Sequence, residues 1–213
     1  MDSIKNIVLR PSYAEVDLSQ LLQNTQNIKN YTNKRMILIL KANAYGHGML
    51  PLAKFFESKG FDFFGVAFLE EALLLRKNGI KSDILVLGGI SGKQIEYFIR
   101  YNIIITASSI DKLNIINETA AKLNKKARVH LKIDTGMERI GVHYYNSENF
   151  FKTAVNCKNI EIEGVFSHFA NSEVDIDLTK QQLERFLNSI SFFEKNSIKM
   201  PLRHIANSGG ILT

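Results

Sequence analysis

The stretch "MILILKANAYGHG", residues 36–48, runs five apolar residues into a lysine and continues as Ala-Asn-Ala-Tyr-Gly-His-Gly. A short continuous run of Met, Ile and Leu reads as a buried strand, and Lys41 stands at its end. Further runs of this kind follow at 61–67, 84–87, 103–107, 129–134, 160–168 and 202–206, giving seven strand candidates with the first. Helical patterns lie between them at 50–60, 68–79, 92–102, 108–126, 147–157 and 179–197. Gly60 and Gly79 fall where helix ends need a positive φ. An extended piece at 13–16 precedes a first helix, for which Asp17 is the expected cap and Gln20 the third-position partner of a capping box.

Near-continuous apolar strands, each followed by a helix, indicate a parallel sheet covered by helices. A doubly wound sheet and a (β/α)8 barrel both fit that alternation. The polar residues decide for the barrel, because Lys41, Lys132, Asp134, His168, Asn207 and Ser208 all fall at strand ends. Barrel active sites gather at that rim from several strands, whereas a doubly wound nucleotide binder concentrates its signal in one Gly-rich turn, and no G-x-G-x-x-G is present. Seven strands are one short of a closed barrel, so the expected fold is a (β/α)8 barrel, incomplete by about one βα unit over residues 1–213.

Composition narrows the function classes. Hydrophobic residues make up 45% and charged residues 23% of the 213, as in ordinary globular proteins. The net charge of +6 is dispersed, without a basic run that would suggest nucleic acid as a partner. No apolar segment approaches membrane-spanning length, and the N-terminus lacks a signal-like apolar core. The single cysteine, Cys157, allows no internal disulfide, and a cytoplasmic setting is expected.

Lys41 has two readings: an amine reaching from the rim into water, or one tuned by partial burial for Schiff-base chemistry. Tyr45, with a hydroxyl, and Gly46 and Gly48, which let backbone approach a ligand, favour the second. "HLKIDTGMERIG" puts Lys132 and Asp134 on one strand face and delivers Arg139 past a turn at Gly136; a plain surface network remains the alternative. "GVFSHFAN" offers His168, and "HIANSGG" offers His204, Asn207 and Ser208 before a glycine pair. Ser208, Gly209 and Gly210 form either a simple turn or a phosphate cradle of hydroxyl and free amides. Taken together, a Schiff-base lysine facing a phosphate cradle across a barrel mouth points to pyridoxal 5′-phosphate as cofactor.

"KANAYGHG", "HLKIDTGMERIG", "FSHFANSE" and "HIANSGG", in this order and spacing, resemble the N-terminal barrel domain of bacterial alanine racemase, as does "RPSYAEVDLSQLLQN". The resemblance covers essentially the whole chain. It implies an isomerase interconverting L- and D-alanine for cell-wall peptidoglycan, with alanine as substrate and a homodimer as the complete enzyme. By motif, Lys41 would hold the cofactor and serve as one of two catalytic bases. Tyr45 and Ser208 would bind the phosphate, and Arg139 the phenolic oxygen. Lys132 would match a lysine, often carbamylated, that steadies this arginine. His168 and Asn207 would join the polar shell, and His204 and Asp134 would support it, with no metal. The second base, a tyrosine of a C-terminal β-domain, and an arginine on the eighth strand would lie beyond Thr213, so the chain alone is expected to be inactive or impaired. Glu138 stands where the family commonly has glycine. Two other readings are a barrel that holds pyridoxal phosphate without catalysis, whose lysine motif would lack Ala-Tyr-Gly-His-Gly, and a racemase of another amino acid such as serine or lysine.

Overall fold

The computed structural model of the protein describes residues 13–212. The expectations for residues 1–12 lie outside them, and residues 13–16 run into the first helix without pairing in the sheet.

Helix α1, Leu18–Thr32, starts at Asp17, whose Oδ1 accepts from the amides of Ser19 (2.8 Å) and Gln20 (2.9 Å). The expected capping box is only half made, because the Gln20 amide side chain donates along the helix to Asn24 Oδ1 at 2.8 Å. The strands are β1 Leu38–Ile39, β2 Phe63–Val66, β3 Asp83–Val86, β4 Ile104–Ala107, β5 Ala127–Asp134, β6 Val142–His143, β7 Ile160–Phe166 and β8 Leu202–His204. Between them lie α2 Lys41–Tyr45, α3 Met49–Ser58, α4 Leu69–Lys77, α5 Ile95–Arg100, α6 Ile110–Lys122, α7 Ser147–Asn156, α8 Ile176–Lys195 and α9 Ser208–Leu212.

Every pairing is parallel, and the strand order is β1-β2-β3-β4-β5-β7-β8, with β6 pairing β5 off this path. A doubly wound sheet reverses its order at a switch point; this one does not, so it curls as a barrel wall with seven strands along its path. The two-residue β6 was not expected, since "GVH" is too short to show strand periodicity. Gly60 (φ 81°) and Gly79 (φ 91°) close α3 and α4 in the left-handed region, as expected.

Two apolar layers follow from strand alternation. The larger lies between sheet and helices and takes Val129, Leu131 and Ile133 from β5 with Phe150, Phe151 and Phe193 from α7 and α8. The smaller is the barrel interior, with Phe63, Leu85 and Ile104 packed beside Ile37 and Leu87. The other face of β5 carries Arg128, His130, Lys132 and Asp134, and His130 meets Phe63 edge-on at 5.8 Å. Gly164 on β7 makes room for that histidine, since a Cβ there would lie 2.6 Å from its ring. Strand register shifts at the same place, between Val129 and His130.

Charged residues close the N-terminal end of the wall. Arg35 bridges Asp62 (3.0 Å) and Asp83 (3.1 Å), and Arg128 bridges Asp83 (2.7 Å) and Glu163 (2.6 Å). The chain of ion pairs crosses from the start of β2 to β7. Burial works to raise the Asp83 carboxyl, but Arg128 and then Arg35 outweigh it and hold it below its ordinary range.

Arg128→Ala leaves two half-buried carboxylates without their shared partner, and is expected to cost about 3 kcal/mol in urea unfolding at neutral pH. Because Asp83 titrates low in the folded state, this stabilisation is complete above about pH 4 and fades as pH falls through the depressed value. Variant and parent should therefore converge in acid; a loss that stays constant with pH would show that the ion pairs are not its source.

Candidate active site

The site starts where β1 ends. The ladder stops at Ile39, and Leu40 N donates to Gly65 O at 2.8 Å as the last sheet contact. The expectation that the strand runs through Lys41 is corrected here, because Lys41 opens a turn that periodicity cannot reveal. Ala42, Asn43 and Ala44 have φ/ψ of 52/49°, 53/43° and 53/48°, and Tyr45 has φ 53°. This is one turn of left-handed helix built without glycine, a conformation costing roughly 1–2 kcal/mol per residue. Local bonds hold it: Ala44 N donates to Leu40 O at 2.8 Å, and Gly48 N to Asn43 O at 2.9 Å. Asn43 Oδ1 also accepts from Met49 N at 2.8 Å, tying the turn to the first residue of α3. The turn leaves Lys41 half-buried and Tyr45 exposed, with the Lys41 amine 5.9 Å from the tyrosine ring centre.

At the end of β5, Lys132 is 4% exposed, with its amine 4.7 Å from the centre of the Phe166 ring. Burial brings its pKa from 10.5 to about 7; Asp134 works the other way, and Arg139 adds to the fall. Asp134 is the organiser of the next turn. Its Oδ1 accepts from the amides of Gly136, Met137 and Glu138 at 2.8, 3.0 and 3.2 Å, and Oδ2 from that of Arg139 at 3.1 Å. Burial pushes this carboxyl up, and the four amides outweigh it and hold it low. Asp134 thus shapes the loop that carries the exposed Arg139 side chain. Glu138 sits in that loop at φ 56°, which explains physically why glycine suits its position. Its carboxylate lies 3.6 Å from His143 Nδ1. Asp134, Glu138 and His143 bring possible metal ligands within 4.8 Å of one another, but both Asp134 oxygens are already engaged by backbone.

His168 follows β7. Gln182 of α8, fully buried, fixes this loop by donating to His168 O (3.1 Å) and accepting from Ala170 N (2.9 Å). Burial, then the charges of Lys132, Arg139 and Lys41, lower the His168 pKa to about 4. Lys41, Lys132, Arg139 and His168, from three separate strand ends, therefore share one mouth. His204 on β8 stacks on Phe166 at 4.6 Å, and its Nε2 lies 2.9 Å from His130 Nδ1. Burial first, and then His130 and Lys132, keep it far below its ordinary pKa.

Asn207 ends the segment after β8, and Ser208 opens α9. Asn207 Oδ1 accepts from Ser172 Oγ (2.7 Å) and Gly210 N (2.9 Å). The expected cradle of free amides is corrected in this detail, since the Gly210 amide is already engaged. The two glycines also have a packing reason. A Cβ at Gly209 would meet Glu173 at 2.5 Å, and one at Gly210 would meet Phe169 at 2.7 Å. Ser208 itself is exposed at the rim.

Three participants escaped sequence reasoning. Phe166 is the apolar floor shared by Lys132 and His204, hidden in a strand that reads as ordinary core. His130 is fully buried, and its Nε2 lacks a hydrogen-bond partner among the described residues. The alternation that singled out Lys132 and Asp134, extended two residues back, would have found it. Glu71 accepts the Ala42 amide and is read in sequence only as a polar helix position.

Comparison with known proteins identifies the family and the fold. The family described as "Alanine racemase, N-terminal domain" matches residues 16–213. Alanine racemase 1 of Caldanaerobacter subterraneus subsp. tengcongensis is 39% identical over 208 residues, which are 96% of this chain and 54% of that protein. The alanine racemase of Clostridium tetani is 41% identical over 208 residues, with the same shares of each chain, 96% and 54%. The solved alanine racemase of Clostridium difficile 630 superposes with a TM-score of 0.89 at 33% identity, covering 96% of this chain and 55% of that one. Its complex with cycloserine gives a TM-score of 0.90 at 34% identity, covering 96% and 57%. The chain spans about half the length of the curated relatives it matches.

Lys132 offers a direct check on the electrostatics of the mouth. The folded protein releases this proton at about 7 and the free side chain at 10.5, so stability rises with pH across that window and is lowest below it. Lys132→Met, in CO2-free buffer, is expected to gain on the order of 2 kcal/mol near pH 6 and to lose that advantage as pH approaches 10. A gain independent of pH in urea titrations would refute a buried, neutralising amine.

Proposed function

The chain belongs to the alanine racemase N-terminal domain family, and we propose that it supplies the pyridoxal 5′-phosphate-binding half of an alanine racemase. The observation that carries this reading is the cationic mouth, in which Lys41, Lys132 and Arg139 all act on the half-buried His168. A site of that sign suits an aldehyde cofactor bearing a phosphate and a phenolic oxygen. The donors also fit by chemistry: an amine at the rim in Lys41, hydroxyls in Tyr45 and Ser208, and a guanidinium in Arg139.

When bound, pyridoxal 5′-phosphate supplies an electron sink that delocalises the negative charge left when an amino acid loses its α-proton. Lys41 would hold the cofactor through its amine, and that amine would take or return the α-proton on one face. Tyr45 and Ser208 would hold the phosphate, and Arg139 would donate to the phenolic oxygen. Asp134 fixes the loop beneath Arg139. Lys132, with a pKa of about 7, has a neutral amine fraction able to add CO2 and become an anionic partner for that arginine. His168 and His204, both held neutral by burial, order polar groups around the ring without adding charge. Asn207 positions Ser208 by capping α9.

In this proposal inversion is completed by a base on the opposite face, a tyrosine from outside the described residues, in a homodimer. Phe68 and Val174, 62% and 79% exposed on loops that follow β2 and β7, suit cover by such a partner. The substrate is alanine, the setting cytoplasmic, and the product serves peptidoglycan synthesis. No helix among the described residues is long and apolar enough to cross a membrane.

Incubating the purified chain with pyridoxal 5′-phosphate, reducing with borohydride and mapping peptides by mass tests the assignment. One stoichiometric adduct on Lys41, abolished in Lys41→Arg, is the expected result. Labelling scattered over surface lysines, with no preference for Lys41, would remove the basis for the proposal.

A further inference from the structure

Glu71 lies in α4, outside every motif named above, yet its carboxylate takes three backbone amides. Ala67 N and Phe68 N donate to Oε2 at 2.7 and 3.2 Å. An acidic residue in a first helical turn ordinarily accepts such amides from its own helix start. The third bond is different in kind: Ala42 N donates to Oε1 at 2.7 Å from 29 residues away. That amide belongs to the residue directly after Lys41, inside the left-handed turn.

The consequence concerns the lysine. The chain on its N-terminal side is pinned where Leu40 N meets Gly65 O at 2.8 Å, and on its C-terminal side where Ala42 N meets Glu71. Both anchors come from β2 or the segment just after it. Ala42 is an exposed alanine at φ 52°, a conformation alanine does not favour, so without an acceptor aimed at its amide the peptide relaxes toward φ below zero. Without that anchor the Lys41–Ala42 peptide is free to turn, and the backbone that aims the Lys41 amine at the mouth loses its C-terminal tether.

We infer that Glu71 is the positioning residue for Lys41, locking the left-handed turn to the loop after β2 so that the amine faces the mouth. The inference deepens the cofactor assignment and rests on it for the meaning of Lys41, but not for the state of the turn. It acts through backbone alone, so the carboxylate need not touch a ligand.

The test uses Glu71→Gln in the full chain, which keeps volume but puts an NH2 where one oxygen accepted. Two quantities are read: amide hydrogen exchange in peptides covering 40–48, and the rate of borohydride-trapped pyridoxal 5′-phosphate addition at Lys41, with exposed Lys54 as internal reference. Exchange at 42–46 is expected to rise at least tenfold and Lys41 labelling to fall at least tenfold, while Lys54 labelling is unchanged. Adding Ala42→Asn, a residue that tolerates positive φ, should restore labelling in the Glu71→Gln background. Exchange and labelling both equal to the parent's would overturn the inference. A turn that loosens in a protein whose parent form never labels Lys41 would support the role of Glu71 and overturn the cofactor assignment instead. Where Glu71→Gln does not fold, Glu71→Asp keeps the charge but is one methylene too short to span both loops, and the same outcomes apply.

Discussion

A left-handed turn without glycine, Ala42 to Tyr45, is the constraint on which the site depends. L-residues disfavour this geometry, so it persists only where neighbours over-determine it. Here they do: Leu40 is paired to β2, Asn43 is tied to the start of α3, and Ala42 is held by Glu71. A right-handed helix started at Lys41 would carry the chain on over the sheet. The left-handed turn instead reverses it within five residues, leaving Lys41 at the rim and Tyr45 beside it. Strain at this point is thus a property of the wall as much as of the turn, since the restraining groups come from β2 and α4 as well as from the start of α3.

The two ends of the barrel wall use charge in opposite ways. At the N-terminal end, Arg35 and Arg128 alternate with Asp62, Asp83 and Glu163, so each charge has a partner of the other sign. At the C-terminal mouth the buried carboxylate of Asp134 is turned into its own loop, where four amides donate to it and hold its pKa low. Asp134 still acts on Lys132, but burial outweighs it and keeps Lys132, His168 and His204 from carrying full charge at neutral pH. An end where charges alternate in sign favours stability; a mouth rich in lysine and arginine favours an anionic ligand. The same fold supplies both because alternate residues of β5 point one way into apolar layers and the other way into the barrel.

Much of this was legible in sequence. Apolar runs of strand length separated by helical periods gave the parallel wall, and polar residues at strand ends placed the mouth. The motifs around Lys41, Arg139 and His168 hold residues that the structure brings within electrostatic reach of one another. What escaped depends on conformation or on long-range contact. Sequence patterns cannot show that Ala-Asn-Ala-Tyr goes left-handed, because none of these residues demands it. Nor do they show that Glu71, rather than Glu70 beside it, reaches back across 29 residues to Ala42. The loop-shaping role of Asp134 was likewise hidden: sequence places it on one strand face with Lys132, but not that four amides donate to it. The Ser-Gly-Gly stretch proved to be packed against Phe169 and Glu173 as well as placed at the rim.

The central claim is that this mouth recognises a phosphate-bearing aldehyde and not merely any aldehyde that meets an amine. The most direct measurement compares the rate of borohydride-trapped labelling at Lys41 by pyridoxal 5′-phosphate with that by pyridoxal, which lacks the phosphate. Lys41 is expected to react at least tenfold faster with the phosphate ester, and that preference to weaken as ionic strength rises. Equal rates for the two aldehydes at Lys41 would contradict it, and would leave the lysine a reactive rim amine without a cofactor site around it.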